Sequence, residues 1–202
     1  MEAATERKLE SAKAQRIIDA MRSSVARRGA AASTFDEVAQ EAGVSRGLLH
    51  YYFGSKERLL VEVVRRDCEL RMELLEKGVG PADSIDAIVE VLVGELEAFL
   101  ADESQAAALV YELWSASRHN DEIGEQMADL YRRVRAHMAG ALEEKERAGV
   151  LRLRGSAEAV SSALFALADG IALQVLSDPE WDPGEAIELA SAAGRFLLEA
   201  GK

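Results

Sequence analysis

Cysteine occurs once in this 202-residue chain, at Cys68, so no disulfide can close within it, and a reducing compartment such as the cytoplasm suits that usage. Proline occurs three times and aromatic side chains make up 5% of the residues; against abundant Ala, Leu, Glu and Arg, that scarcity points to an all-helical chain. The first residues, MEAATERKLE, are charged and lack the apolar stretch of a signal peptide, so none is expected. No uninterrupted run reaches the roughly 18 apolar residues of a membrane span, so no membrane association is expected. Histidine is nearly as scarce. His50, His119 and His137 sit in different helices or loops, and no two have a ligand spacing. Asp121 and Glu122 beside His119 do not complete a metal set, and solvated or hydrogen-bonded histidine is the reading adopted. No serine or cysteine lies in a nucleophile motif, and no glycine-rich loop suits a nucleotide. An enzyme, a metal and a cofactor are therefore not expected.

What is present is a globular composition, 49% hydrophobic and 30% charged, on a length that fits one substantial domain or two small ones. The net charge of −12 is unevenly spread. Residues 1–66 carry 12 basic and 9 acidic side chains, a net of +3, whereas residues 67–202 carry 12 against 27, a net of −15. A mildly basic head can approach phosphates while an acidic body keeps the protein soluble and off random DNA.

Apolar spacing divides the chain into helices. Residues 11–28 carry Ala14, Ile17, Ile18, Met21 and Val25 on one stripe, ended by Gly29. Thr34 and Glu37 have the spacing of a capping box at the start of a short helix that Gly43 stops. Ser45 is placed to cap a third helix running to about Tyr52, and Ser55 a fourth with Leu59, Leu60, Val63 and Val64 on its apolar side. After the turn at Gly78–Pro81, helices are expected from Ser84 to Leu100, Glu103 to Ser117 and over 121–148. Leu151–Arg154 is a short connector. Ser156 to Leu176 is apolar nearly all round, and a last helix opens at Asp182-Pro183-Gly184-Glu185 and runs to about Ala200.

The stretch GVSRGLLHYYFGSKERLL, residues 43–60, concentrates the chemistry. Two short helices separated by a glycine turn match a helix-turn-helix, whose second helix lays its N-terminal end against base edges in the major groove. Ser45, Arg46, Gly47 and Leu48 have the short or flexible side chains that such an approach needs. Arg46 suits a bidentate contact with guanine, and Leu48 suits a thymine methyl. Tyr51, Tyr52 and Lys56 are placed to reach phosphates, as are the helix starts near Thr34 and Ser55. Phe53 has no polar end and is expected inside. Spacing alone fits a plain packing hairpin as well as a DNA reader.

Residues 13–66 resemble the N-terminal domain of the TetR family of bacterial transcriptional regulators. The resemblance runs through Arg28-Gly29, Thr34-Phe35-Asp36-Glu37-Val38-Ala39, Ala42-Gly43-Val44-Ser45-Arg46-Gly47, Tyr52-Phe53 and Ser55-Lys56-Glu57-Arg58-Leu59-Leu60. The family's usual tyrosine after the recognition-helix leucine is His50 here, whose imidazole can still donate to phosphate. The resemblance implies about nine helices: a three-helix DNA-binding head over 1–66, and an effector-binding and dimerisation body over 67–202. The body more loosely resembles BetI-type members, through Leu113-Trp114, Gly149-Val150-Leu151-Arg152 and Leu167-Ala168-Asp169-Gly170-Ile171.

A helix as apolar as 156–176 must be covered on two sides, either wholly within one subunit or by a second copy. The second is preferred, with Leu164, Ala168, Ile171, Ala172 and Val175, together with Ala190, Ala193 and Leu197 of the last helix, forming a homodimer interface. Asp169 stands inside the apolar run. It is expected either to pair with a backbone amide or a residue across the interface, or to meet a ligand. Phe99, Tyr111, Trp114, Met127, Tyr131, Met138 and Phe165 are candidates for the wall of a small-molecule cavity. With no convincing cation among the helix interiors, an apolar, neutral or cationic effector is expected. The reading is a cytoplasmic, ligand-responsive repressor of double-stranded operator DNA. The rival is an all-helical hydrophobic-ligand sensor or carrier whose head binds a protein partner.

Overall fold

In the computed structural model, residues 11–101 and 106–199 are described, and among them the chain is all-α. Nine helices are found among these residues: α1 Ala12–Ala32, α2 Phe35–Ala42, α3 Arg46–Phe53, α4 Lys56–Val79, α5 Ile85–Leu100, α6 Ala106–Ser117, α7 Asp121–Arg147, α8 Ala157–Ser177 and α9 Gly184–Leu198. The expected starts at Glu103 and end at Ala200 lie outside the described residues, as does the charged N-terminal stretch.

Helix boundaries follow side chains that satisfy the free amides of a first turn. Ser11, Ser84 and Ser156 accept from Ala14, Ala87 and Ala159 at 3.2 Å each. Asn120 accepts from the Glu122 and Ile123 amides at the head of α7. Asp182 accepts from the Gly184 amide at 2.9 Å, which places Pro183 just before α9 and not at its first position. At Gly29, φ 76° and ψ 162° break the helical path, so the continuous helix stops there and a short further turn runs to Ala32. Ser45 stands before α3 but makes no capping bond.

Contacts divide the chain into two compact units, residues 1–67 with 102–127 and residues 68–101 with 128–202. Helix α6 and the start of α7 fall in the first unit. Hydrophobic spacing along one helix does not report which neighbours that helix will meet.

In the first unit, Ile17, Met21, Val25, Val38, Leu49, Phe53 and Leu59 form buried positions of α1 to α4, with Leu109, Leu113 and Ile123 buried further along. Arg22 reaches the buried carboxylate of Asp67 at 3.0 Å, an ion pair that ties α1 to α4. Arg58 pairs with Glu122 in the first turn of α7.

In the second unit, Val79, Ile88, Val89, Met138, Leu142, Leu151, Val160 and Leu198 make one core. Gly78 lets α4 and α5 approach closely, since a Cβ there would lie 2.7 Å from Val91 Cγ1. Lys145 donates to the carbonyls of Gly80 and Ala82 at 2.6 and 2.7 Å, closing the turn before α5. The connector pairs with the end of α9: the Arg152 and Arg154 amides donate to the carbonyls of Leu198 and Leu197 at 3.0 Å.

By length and composition alone α8 would pass for a membrane span, although Ser161, Asp169 and Gln174 interrupt its apolar run. Within the chain only 22% of its most apolar stretch is buried. Ile171 and Ala172 point into their own subunit, at 5% and 0% exposed, which corrects their assignment to a surface shared with another copy. Leu164 packs near Gly194 of α9 and Leu197 against the core, so both are largely used up as well. Ala168, Val175, Ala190 and Ala193 are half-buried. The large apolar side chains of α8 and α9 left exposed are Leu173 and Leu176 on α8 and Leu189 and Phe196 on α9, the last with the Arg154 guanidinium 3.9 Å from its ring centre.

Candidate functional site

The hairpin of α2 and α3 is fixed by local chemistry at both of its ends. At the start of α2 the capping box forms: the Thr34 hydroxyl accepts from the Glu37 amide, and the Glu37 carboxylate accepts from the Thr34 amide at 3.2 Å. The hydrogen bond from the Thr34 hydroxyl, the Thr34 amide and the nearby Arg28 charge hold the Glu37 carboxyl below the ordinary glutamate range. At the end of α2, Gly43 takes the left-handed conformation, φ 65° and ψ 39°. The Gly43 amide then donates to Gln40 and the Val44 amide to Ala39, the pattern that closes a helix and redirects the chain. A residue with a Cβ would be strained at that φ.

This turn presents the N-terminal end of α3 to solvent. Ser45, Arg46 and Gly47 are exposed and Leu48 is half-buried, while Leu49 and Phe53 at 0% and 3% pin the helix from below. Gly47 leaves open space beside its backbone, with no atom nearer than Ser45 Oγ at 4.0 Å from where a Cβ would stand. Phe53 is core, as expected.

The other expected DNA contacts are already engaged within the head. His50 is exposed, meets the carbonyl of Gly54 at 3.1 Å through Nδ1 and lies edge-on to Phe35. Tyr51 is 64% exposed, with its ring edge against Tyr52. The Tyr52 hydroxyl accepts from Ser11 Oγ at 3.1 Å, joining the end of α3 to the start of α1. Lys56 donates to the Ala31 carbonyl at 3.0 Å, which leaves two of its three ammonium protons for other acceptors. Thr34 is exposed beside these groups. Arg46 donates from Nη1 to both carboxylate oxygens of Asp36, at 2.9 and 3.2 Å. Sequence reasoning missed that partner, which lies ten residues away across the turn.

The expected wall residues are distributed between the units. In the second, the Tyr131 hydroxyl donates to Asp169 Oδ2 at 3.4 Å, bringing α7 and α8 together. Burial pushes the Asp169 carboxyl above the ordinary aspartate range, and the Tyr131 hydrogen bond offsets this in part. Met138 belongs to the core and Phe165 packs against it, so neither lines an open space within that core. Phe99 is half-buried under the Arg71 guanidinium, 4.8 Å from its ring centre. Arg71 is therefore a half-buried cation that sequence reading overlooked. Its signal was its place on α4, seven residues after the buried Val64. In the first unit, Tyr111 is half-buried and Met127 is buried. Trp114 is 52% exposed with Arg118 near its ring, so it is a surface residue and not an enclosed wall.

No group of three or more His, Cys, Asp or Glu able to hold a metal occurs among the described residues.

Comparison with known proteins matches both parts of the chain. The family model of bacterial regulatory proteins, tetR family, matches residues 17–63. The model of the C-terminal part of BetI-type transcriptional repressors matches residues 81–197. The HTH-type transcriptional regulator BetI of Brucella suis is 28% identical over 167 residues, which is 81% of this chain and 79% of that protein. Among solved structures, the transcriptional regulator FadR of Bacillus subtilis in complex with stearoyl-CoA is similar at a TM-score of 0.68 and 19% identity, covering 93% of this chain and 99% of that one. A regulator from Saccharomonospora viridis in complex with choline is similar at 0.65 and 23% identity, covering 90% and 93%. At these identities the structures show likeness of fold.

Proposed function

We propose that this chain, which belongs to the TetR family of bacterial regulatory proteins and carries a BetI-type C-terminal half, is a repressor that binds operator DNA as a dimer and leaves it when an effector binds. The observation that supports DNA reading most directly is the exposed start of α3, with Arg46 and Gly47 held out on a hairpin locked by the capping box and the Gly43 turn. In this reading Arg46 meets a guanine edge and Leu48 a thymine methyl. Thr34, Ser45, His50, Tyr51, Tyr52 and Lys56 meet the backbone. The work is cytoplasmic, where operator DNA is.

The dimer is proposed through the uncovered residues of α8 and α9, in an isologous four-helix contact. Leu173, Leu176, Leu189 and Phe196 form its centre, with Ala168, Val175, Ala190 and Ala193 at its edges.

For the effector, the Asp169–Tyr131 pair supports an apolar molecule with a neutral or cationic head, because a cation would relieve the cost of a buried carboxylate. The choline bound by the Saccharomonospora viridis regulator is of that class. Arg71 over Phe99 supplies a cation that an anionic head would need, and the Bacillus subtilis regulator holds an acyl thioester. The decisive experiment is a salt-dependent gel shift on DNA upstream of the gene, repeated with quaternary ammonium, neutral and acyl-CoA compounds. Sequence-preferring binding that one quaternary ammonium or neutral compound weakens is the expected result. Binding to a protein partner without DNA binding would favour the rival reading. Release by acyl-CoA alone would move the effector site to Arg71.

A further inference from the structure

The carboxylate that holds Arg46 is the least explained charge in the head. Asp36 is in the first turn of α2 and its side chain is 68% exposed, so it stands on the surface that the operator reading, on which this inference rests, turns toward DNA. An exposed acid there repels phosphate, and an exposed ion pair adds little to folding. The two other carboxylates of α2, Glu37 and Glu41, are paired with Arg28 and Arg27 of α1. Only the Asp36 partner is a residue expected to read a base.

We propose that Asp36 is a specificity-determining residue that acts through Arg46. Both Asp36 oxygens accept from Nη1 of Arg46, so the guanidinium plane is set before DNA arrives. The Nε and Nη2 protons stay available as a fork, and that fork matches O6 and N7 of guanine. Ordering this flexible side chain beforehand removes part of the entropy cost of the contact. The carboxylate then discriminates in two ways. Opposite guanine, Arg46 satisfies the base and Asp36 together. Opposite adenine or thymine, the fork finds fewer acceptors while the negative charge remains near the groove, which penalises the wrong base.

The test uses the full-length protein and begins with selection of its preferred duplex from a randomised pool. Asp36→Ala, Asp36→Asn, Arg46→Ala and the double variant Asp36→Ala/Arg46→Ala are then titrated against that duplex, against each single base-pair change in it, and against unrelated DNA. Melting curves establish that each variant is folded. Asp36→Ala is expected to cut discrimination at the guanine read by Arg46 by about tenfold. It is also expected to bind unrelated DNA several-fold more tightly, and Asp36→Asn should do the same, more weakly. In the Arg46→Ala background the Asp36 change should leave base preference unmoved. An unaltered preference profile in Asp36→Ala, or an equal effect with Arg46 absent, would overturn the assignment and leave the operator reading intact. Failure of the wild-type protein to select any duplex would overturn the operator reading and this role with it.

Discussion

Replacing Leu173 with glutamate tests how the protein assembles. The leucine is 49% exposed in the single chain, so a glutamate there disturbs the subunit's own core little. Full burial of a leucine is worth about 1.5–3 kcal/mol, so covering its open half contributes about 1 kcal/mol per copy and about 2 kcal/mol for a symmetric pair. A two-fold contact would also bring two carboxylates into a dehydrated interface, at a cost of several kcal/mol. The dimer should therefore be weakened by about 5 kcal/mol or more, over a thousandfold in Kd. Sedimentation velocity at micromolar concentration reads this directly: dimeric wild type, monomeric variant, and a nearly unchanged melting profile for the monomer's secondary structure. Ile171→Glu supplies the contrast. At 5% exposure that residue belongs to its own subunit, so the substitution should lower folding stability itself. A Leu173→Glu protein that dimerises like the wild type, or a wild type that is already monomeric, would refute the proposed interface.

Gly78→Ala forces a Cβ to within 2.7 Å of Val91 Cγ1 and should cost about 1–3 kcal/mol in urea unfolding, with Val91→Ala restoring most of it. A neutral Gly78→Ala would mean that α4 and α5 separate more readily than their packing indicates. Asp169→Asn removes a carboxyl whose folded-state pKa is raised by burial. Because the native state then binds its proton more tightly than the unfolded state, the wild type loses stability as pH rises from the ordinary aspartate range through that raised value. The asparagine variant should thus be more stable at neutral pH, with the advantage fading as pH falls; a constant difference across pH would contradict burial as the cause. The same variant should lose affinity for a cationic effector and keep its affinity for DNA.

The head was legible in the sequence because its signals are local. Thr34 with Glu37, Gly43 and the Phe53 that turns inward each act over a few residues, and each does in the fold what its spacing implies. Pairings across the hairpin were not legible: Asp36 and Arg46 are ten residues apart, and no helical period connects them. The body was harder for the same reason. An apolar helix such as α8 announces that it needs covering, but not which face its own chain takes. Ile171 and Ala172 went inward while the next residue, Leu173, one step of 100° further round, stayed out. The expected wall residues were a poor guide to a cavity, since Met138 and Phe165 serve the core and Trp114 the surface. Arg71 was hidden because an arginine's half-burial depends on a ring, Phe99, that a different helix supplies.

The central claim is that the start of α3 reads base pairs, and the most direct measurement is the preference profile of Arg46→Ala beside that of the wild type. Both would be titrated at fixed salt against the selected duplex and every single base-pair variant of it. The account predicts that Arg46→Ala loses about 1–3 kcal/mol at one guanine-containing pair, becomes indifferent to the base there and keeps its preferences elsewhere. A uniform loss across all duplexes would make Arg46 a backbone contact, and an unchanged profile would remove α3 from the role assigned to it.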